Sequence, residues 1–170
     1  MKNIFFLFLL FPFFSAARAQ DIFSAAREND TIALVNYLKA GNLINSTDGR
    51  GSTPLIVAVY NENEAATLML LNHHAKVDIG DLAGNTALMG ACFKGYLNMV
   101  QALYLHKSNL NTVNKNGATA LIFAATFGHT EIIKFLLVHH ADKKIKDRFG
   151  KTALDYAINQ EIPEVVALLK

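Results

Sequence analysis

The sequence predicts an all-α fold, a solenoid of stacked helix-turn-helix units with β-turn fingers. The first observation behind this prediction is a step of 33 residues that separates equivalent glycines, threonines and leucines without any gap. The second is a fixed order of turn, cap and apolar positions inside each copy. Self-similarity at a constant step of this length is the signature of a repeat architecture. The positions that show it are Gly51, Gly84, Gly117 and Gly150, then Thr53, Thr86, Thr119 and Thr152, then Leu55, Leu88, Leu121 and Leu154.

Each copy begins with an Asp or Asn followed three residues later by glycine, as in Asp48 and Gly51. This pattern predicts a tight turn, because the Asx side chain bonds back to the backbone and glycine tolerates a positive φ. The threonine that follows is a helix N-cap, and Pro54 fits the first position of a helix. A break at Gly95 or Gly128, and at the equivalent Glu62 and Glu161, separates the first helix from the second. Two such short helices cannot bury their apolar stripes alone, so neighbouring copies must stack.

Several motifs resemble the ankyrin repeat, namely Thr53-Pro54-Leu55, Gly128-His129, and Leu136-Leu137 followed by Ala141-Asp142. The unit of that family is a β-turn finger followed by a helical pair. The resemblance implies a repeat domain over residues 20–170. Within it we expect an N-terminal cap at 21–47, full repeats at 48–80, 81–113 and 114–146, and a C-terminal cap at 147–170.

Three positions depart from the family pattern. The usual histidine after Thr-Pro-Leu is replaced by Ile56, Met89, Ile122 and Asp155, so we expect apolar packing in place of a hydrogen-bond network. The helix-ending glycine survives as Gly41 but is replaced by His74, Lys107 and His140. Lys143 and Lys144 occupy positions held elsewhere by Val77 with Asp78 and by Leu110 with Asn111.

The first residues have the composition of a secretory signal peptide. Lys2 is basic, residues 4–14 are an apolar run of eleven, and Ala17-Arg18-Ala19 fits a small-residue cleavage site. The run is too short to span a bilayer as a helix. We therefore expect residues 1–19 to be removed, with no membrane insertion afterwards and an exported, periplasmic or secreted product. A buried core helix and an uncleaved anchor are the alternative interpretations.

Charge and cysteine content exclude some classes of function. Cleavage after Ala19 removes Lys2 and Arg18, which leaves 14 basic and 14 acidic residues. A nucleic-acid partner is therefore not expected, because such proteins carry a basic excess. The single cysteine, Cys92, has no partner for an internal disulfide and is expected to be a small buried residue.

The histidines suggest an alternative function, a metal-binding or enzymatic protein that uses its His-rich helix ends. His73, His106 and His139 are one position in three copies. Stacked helices lie ~8–10 Å apart, whereas a shared zinc needs nitrogens ~2 Å from the metal. We therefore expect no metal, no cofactor and no catalytic residue, and we expect these side chains to be polar helix ends.

The expected function is protein binding through the fingers and the first helices of the repeats, which line a concave groove in the family. Four aromatic and five basic side chains fall on these positions, a combination typical of interface anchors. The alternative is that the aromatic rings only cover neighbouring helices. We expect a monomer that binds, protects or inhibits another exported protein bearing an acidic patch. The setting would be a bacterial envelope or a eukaryotic secretory compartment. A secreted effector that acts on a foreign cell is a third interpretation, which differs only in the partner. The predicted binding residues are Arg50, Tyr60, Leu82, Phe93, Lys94, Lys115, Phe127, Arg148, Phe149 and Lys151.

Overall fold

The structure is a computed structural model that describes residues 21–170, and the predicted signal peptide at 1–19 lies outside this range. These residues form ten helices in five successive pairs and contain no β-strand. The helices are α1 (Ile22–Arg27), α2 (Thr31–Lys39), α3 (Pro54–Tyr60), α4 (Glu64–Asn72), α5 (Ala87–Lys94), α6 (Leu97–Leu105), α7 (Ala120–Thr126), α8 (Thr130–Val138), α9 (Ala153–Asn159) and α10 (Pro163–Leu169). The predicted all-α solenoid is confirmed.

The odd-numbered helices form an inner row and the even-numbered helices form an outer row, since each helix packs on its pair partner and on its equivalents in adjacent copies. Leu55, Leu88 and Leu121 are each 1% exposed. The alanines four residues before each inner helix break, such as Ala91 and Ala124, are fully buried. Small side chains there let the inner helices approach closely, so that one continuous core runs through the stack.

The repeated threonines cap the inner helices as predicted. In α3, the Ile56 amide donates to Thr53 Oγ1 at 3.3 Å, and the same bond recurs at Thr86, Thr119 and Thr152. Asp155 completes a capping box in α9, because its carboxylate accepts from the Thr152 amide at 2.7 Å. Asp155 therefore replaces the family histidine with a second local cap, whereas Ile56, Met89 and Ile122 are buried in the core.

The fingers are tight turns held by their first side chain. Asp48 Oδ1 accepts from the amides of Arg50 and Ser52, at 2.8 and 2.9 Å. The Gly51 amide donates to the Asp48 carbonyl at 2.9 Å and Gly51 has φ +74°. Adjacent fingers are joined by one backbone bond each, for example from the Leu82 amide to the Arg50 carbonyl at 2.9 Å. The fingers thus form a row along the inner helices.

Side chains also tie each copy to the next at the far end of the outer helices. Asn45 Oδ1 accepts from the Lys76 amide, Asp78 from the Asn109 amide and Asn111 from the Asp142 amide. Lys144 is the next member of this series, and its side chain has no acceptor oxygen.

Candidate functional site

The inner helices carry a row of aromatic rings on the side that faces away from the outer row. Tyr60 at the end of α3 stacks with Phe93 of α5, with ring centroids 6.2 Å apart and planes 11° apart. Phe93 also meets Phe127 edge-on at 4.6 Å and Phe123 edge-on at 6.4 Å. The 33-residue step brings the equivalent residues Tyr60 and Phe93 side by side, whereas Phe127 follows the next equivalent, Thr126, by one residue. Because the Phe127 ring contacts Phe93, these three predicted site residues still form one continuous row.

The row is only partly buried. Tyr60 is 47% exposed and Phe127 is 48% exposed, while Phe93 between them is half-buried. The rings therefore cover one another and also present apolar surface to solvent. Both sequence-based interpretations describe part of this arrangement, since the aromatic rings pack on their neighbours without being enclosed.

Cations lie against aromatic rings at three points of this face. Lys94 Nζ is 4.8 Å from the centre of the Tyr60 ring. On the last finger, the Arg148 guanidinium lies 4.7 Å from the Phe149 ring, and Lys151 Nζ lies 5.6 Å from the Tyr156 ring. Such contacts are attractive because the ring face is electron-rich. They hold cations beside apolar surface and leave their ammonium or guanidinium groups exposed.

Two depressions lie between the aromatic row and the fingers. The smaller has a volume of about 220 Å³ and lies between Tyr60, Phe93 and Phe123, with Gly90 beneath. The larger, about 760 Å³, extends from Tyr60 to Arg50 and to Arg27 of the first helical pair. We call the fingers, the aromatic row and these two depressions the groove face.

The groove face also contains carboxylates that the predicted set of residues lacked. Asp48 and Asp81 line the larger depression. Asp81 Oδ1 accepts from the amides of Ala83 and Asn85, and Oδ2 accepts from the Asn85 side chain at 3.3 Å. Much of the hydrogen-bonding capacity of these acids is therefore used to hold the fingers.

Asp147, the equivalent residue of the last finger, is buried. Burial pushes the pKa of its carboxyl upward, but the Tyr156 hydroxyl and the amides of Lys151 and Phe149 donate to it and hold the pKa below its ordinary value. The same contact raises the pKa of the Tyr156 hydroxyl. This finger is thereby fixed to α9, which positions Arg148 and Phe149.

The other predicted residues lie on the fingers and are spread along the face. Leu82 and Phe149 are each 65% exposed, and Lys115 is exposed as well. Arg148 and Phe149 form a pair of their own on the last finger, apart from the contacts of the aromatic row. The predicted set therefore comprises a clustered part around Tyr60 and Phe93 and a dispersed part along the finger tips.

The sequence analysis missed several residues that shape the groove face. Ile56, Met89, Gly90 and Phe123 surround the smaller depression, and Arg27 lies at the end of the larger one. One signal could have found two of them. Gly90 and Phe123 occupy one repeat position, which is Val57 and Tyr156 in the other two copies. A repeat position that varies this much between copies is typical of a binding surface, whereas positions needed for packing stay similar.

The His-rich helix ends, which carried the alternative function, are engaged within the outer row. His73 Nδ1 donates to the Met69 carbonyl and His106 Nδ1 to the Ala102 carbonyl, both at 2.9 Å. His139 packs on Tyr104, with ring centroids 4.2 Å apart. Within residues 21–170, no three His, Cys, Asp or Glu side chains are grouped closely enough to hold a metal ion. Cys92 is fully buried, and this burial raises the pKa of its thiol.

Fingers, helical pairs and a shared core define a repeat solenoid with a surface suited to binding. A model of the ankyrin-repeat family, built on three copies, matches residues 22–113 and 102–170. The chain therefore belongs to the ankyrin-repeat family, whose members are typically non-enzymatic modules for protein–protein interaction. One similar protein is the potassium channel AKT2/3 of Arabidopsis thaliana, which is 31% identical over 86 residues. That match covers 51% of this chain and 11% of the channel, so the chain spans only a small part of that relative. In residues 21–170, no helix has both the length and the apolarity needed to cross a membrane.

Proposed function

We propose that this protein is an extracytoplasmic binding module that holds, protects or inhibits another exported protein through its groove face. The observation that carries the proposal is the partly exposed aromatic row with Lys94 against it. The cores of protein interfaces are enriched in aromatic side chains, and the residues that contribute most to affinity cluster near the centre. Tyr60 and Phe127 meet that description, because each retains about half of its exposure while its ring is held by contacts with Phe93.

The ordering of these rings supports binding energetically. A side chain that is already held by its neighbours loses little conformational freedom when a partner covers it, and this reduces the cost of association. The Tyr60–Phe93–Phe127 contacts supply this preorganisation. Binding would therefore bury apolar surface of these rings with only a small loss of side-chain conformational entropy.

Charge indicates the chemistry of the partner. The five predicted basic side chains and Arg27 lie along the groove face, whereas Asp48 and Asp81 are held by finger amides. The excess of cations fits a partner with an acidic patch, and charges of this kind act mainly on the association rate and on specificity. We propose that the protein acts as a monomer. The five basic residues are Arg50, Lys94, Lys115, Arg148 and Lys151.

The proposed compartment rests on the composition of residues 1–19. We propose a bacterial envelope or secreted location, with cleavage after Ala19. Expression of the full chain in a bacterium, followed by intact-mass measurement of the fractionated product, tests this. A mature chain that begins at Gln20 in the extracytoplasmic fraction is the expected result, and a soluble product that retains residues 1–19 would contradict it.

Affinity capture with immobilised protein from an extracytoplasmic extract tests the binding face. Tyr60→Ala with Phe127→Ala should reduce capture of the partner at least tenfold, since each interface aromatic contributes about 2 kcal/mol or more. Lys94→Glu with Lys115→Glu should slow association and reduce its salt dependence.

The matched control removes apolar surface from the outer row. Leu105 and Val138 are 72% and 71% exposed, so Leu105→Ala with Val138→Ala takes away a comparable exposed area on the other side of the stack. This control should bind as the wild type does. If the control abolishes capture and the groove variants retain it, the partner lies on the outer row and the proposal is wrong.

A further inference from the structure

Gly90 is an unexpected residue in α5. It lies inside the helix, in a position that Val57, Phe123 and Tyr156 occupy in the other copies. Glycine is the poorest helix former after proline. Its φ is not in the left-handed region, and a methyl group added to it would meet only Tyr60 Cδ2, at 3.7 Å. This is an ordinary van der Waals contact, so neither the backbone nor crowding requires glycine here.

The absence of a side chain at Gly90 opens the smaller depression. Its floor is Gly90, and its apolar walls are Tyr60, Phe93 and Phe123, with Met89 and Ile56 beside them. The side toward the finger is polar and is lined by Asp81, Asn85 and Thr86. Its volume is about 220 Å³, and an apolar cavity of about 150 Å³ is large enough to hold benzene. The stacked and edge-on rings of the walls offer the geometries that aromatic side chains prefer. The depression therefore has the size and lining for one aromatic ring.

The surroundings of the depression are charged. Lys94 lies over the ring of Tyr60, and Arg50 and Arg27 line the larger depression that shares Tyr60 with it. Asp48 lines the larger depression and Asp81 lines both. One oxygen of each carboxylate accepts from two finger amides, and the second oxygen of Asp81 accepts from the Asn85 side chain. Three cations against two hydrogen-bonded carboxylates favour acidic residues in whatever chain approaches the depression.

We infer that the depression above Gly90 binds an aromatic side chain of the partner, in a segment where acidic residues flank that aromatic residue. The inference rests on the proposed function and specifies which chemistry the groove face recognises. Gly90 is then a specificity-determining residue, because any side chain at this position fills the space that the partner's ring takes. A helix-weakening residue with no structural need is typical of a position kept for function.

Blocked pentapeptides with four acidic residues and either Phe or Ala in the centre serve as probes, and binding to residues 20–170 is followed by NMR chemical-shift titration. The Phe peptide should bind wild-type protein about tenfold or more tightly than the Ala peptide, since only the Phe peptide buries a ring. The shift changes should centre on the amides of Gly90 and Phe93. Gly90→Leu should lower the affinity for the Phe peptide to that for the Ala peptide.

Stability separates this effect from damage to the fold. Gly90→Leu and the smaller change Gly90→Ala should leave the urea midpoint unchanged or raise it, because both replace glycine inside a helix. Gly90→Ala should weaken the Phe peptide about threefold or more, and it keeps the test valid if Gly90→Leu does not fold. Gln101→Leu adds the same side chain to an exposed position of the outer helix α6 and should change neither affinity.

The two proposals fail in different ways. Equal binding of the two peptides on the groove face, or unchanged binding of the Phe peptide to a folded Gly90→Leu variant, would overturn the aromatic anchor and leave the binding face standing. Absence of saturable binding by the Phe peptide at several millimolar would also overturn the anchor. Shift changes confined to the outer helices would overturn both.

Discussion

The finger glycines allow the cost of left-handed backbone to be separated from the cost of crowding. Gly51 and Gly150 occupy the same turn position in the first and last fingers, with φ of +74° and +73°. A methyl group on Gly150 would meet nothing within 4 Å, whereas one on Gly51 would lie 2.8 Å from the Leu82 backbone nitrogen. Gly51→Ala and Gly150→Ala thus share the backbone strain and differ in the contact with the next finger.

The expected loss of stability is the sum of the backbone strain and the crowding against the next finger. A residue with a Cβ loses ~1–2 kcal/mol in the left-handed region, and replacing glycine recovers ~0.4–1 kcal/mol by restricting the unfolded chain. Gly150→Ala should therefore destabilise by about 1 kcal/mol. Gly51→Ala must also displace Leu82, whose amide donates to the Arg50 carbonyl at 2.9 Å. Weakening that bond adds ~0.5–1.5 kcal/mol, for a total of about 2 kcal/mol.

Equilibrium urea denaturation of both variants, monitored by far-ultraviolet circular dichroism, measures the difference. Gly84→Ala and Gly117→Ala should fall between the two, because a methyl group at either position would lie 3.1 Å from the backbone of the next finger. Should Gly150→Ala prove as destabilising as Gly51→Ala, crowding between fingers would not limit these positions, and the finger row described above would be incorrect in detail.

Two further predictions concern the last finger and the core. Because hydrogen bonds hold the pKa of Asp147 below its ordinary value of 3.8, its contribution to stability is present above pH 3.8 and is lost as the pH falls through its lowered pKa. Asn114, the equivalent residue of the preceding finger, shows that a side-chain amide also supports the turn. Asp147→Asn should therefore fold, and it should lose less stability between pH 5 and pH 2 than the wild type does. Urea titrations that show the same acid dependence for both proteins would refute this. Leu121→Ala should cost ~2–5 kcal/mol by leaving a cavity, whereas Leu105→Ala, at an exposed position, should change the unfolding midpoint little; similar costs would mean that the two rows are misassigned.

The dynamics of a solenoid bear on these measurements. Each copy contacts only its neighbours, so stability is close to a sum of local terms, and a terminal copy can open before the rest. Asp147 and the capping box of Asp155 both strengthen the last copy. Hydrogen exchange of the α9 amides in the Asp147→Asn variant would therefore show whether loss of stability is local or global.

The left-handed positions show how far the sequence determines the backbone. Glu62, Glu161, His74, Lys107 and His140 all have positive φ, between 54° and 69°. They occupy positions that hold glycine in other copies, namely Gly95, Gly128 and Gly41. None of these residue types indicates such a backbone by itself, since side chains with a Cβ rarely adopt it. Only the alignment of the copies marks these positions as equivalent to glycines. The positive φ itself is imposed by the way each helix ends in the stack.

The sequence by itself determined the fold, the finger turns and the threonine caps of the inner helices. These follow from local chemistry repeated at a fixed step, in which an Asx turn, a threonine cap and an apolar stripe each act within a few residues. The depression above Gly90, the groove carboxylates Asp48 and Asp81, and the bond between Tyr156 and Asp147 were decided only by the tertiary structure. The depression and its carboxylates depend on how side chains from adjacent copies meet, whereas the bond between Tyr156 and Asp147 depends on how the last finger folds onto the helix of its own copy. Neither arrangement follows from rules that act over a few residues of turn, cap or apolar stripe.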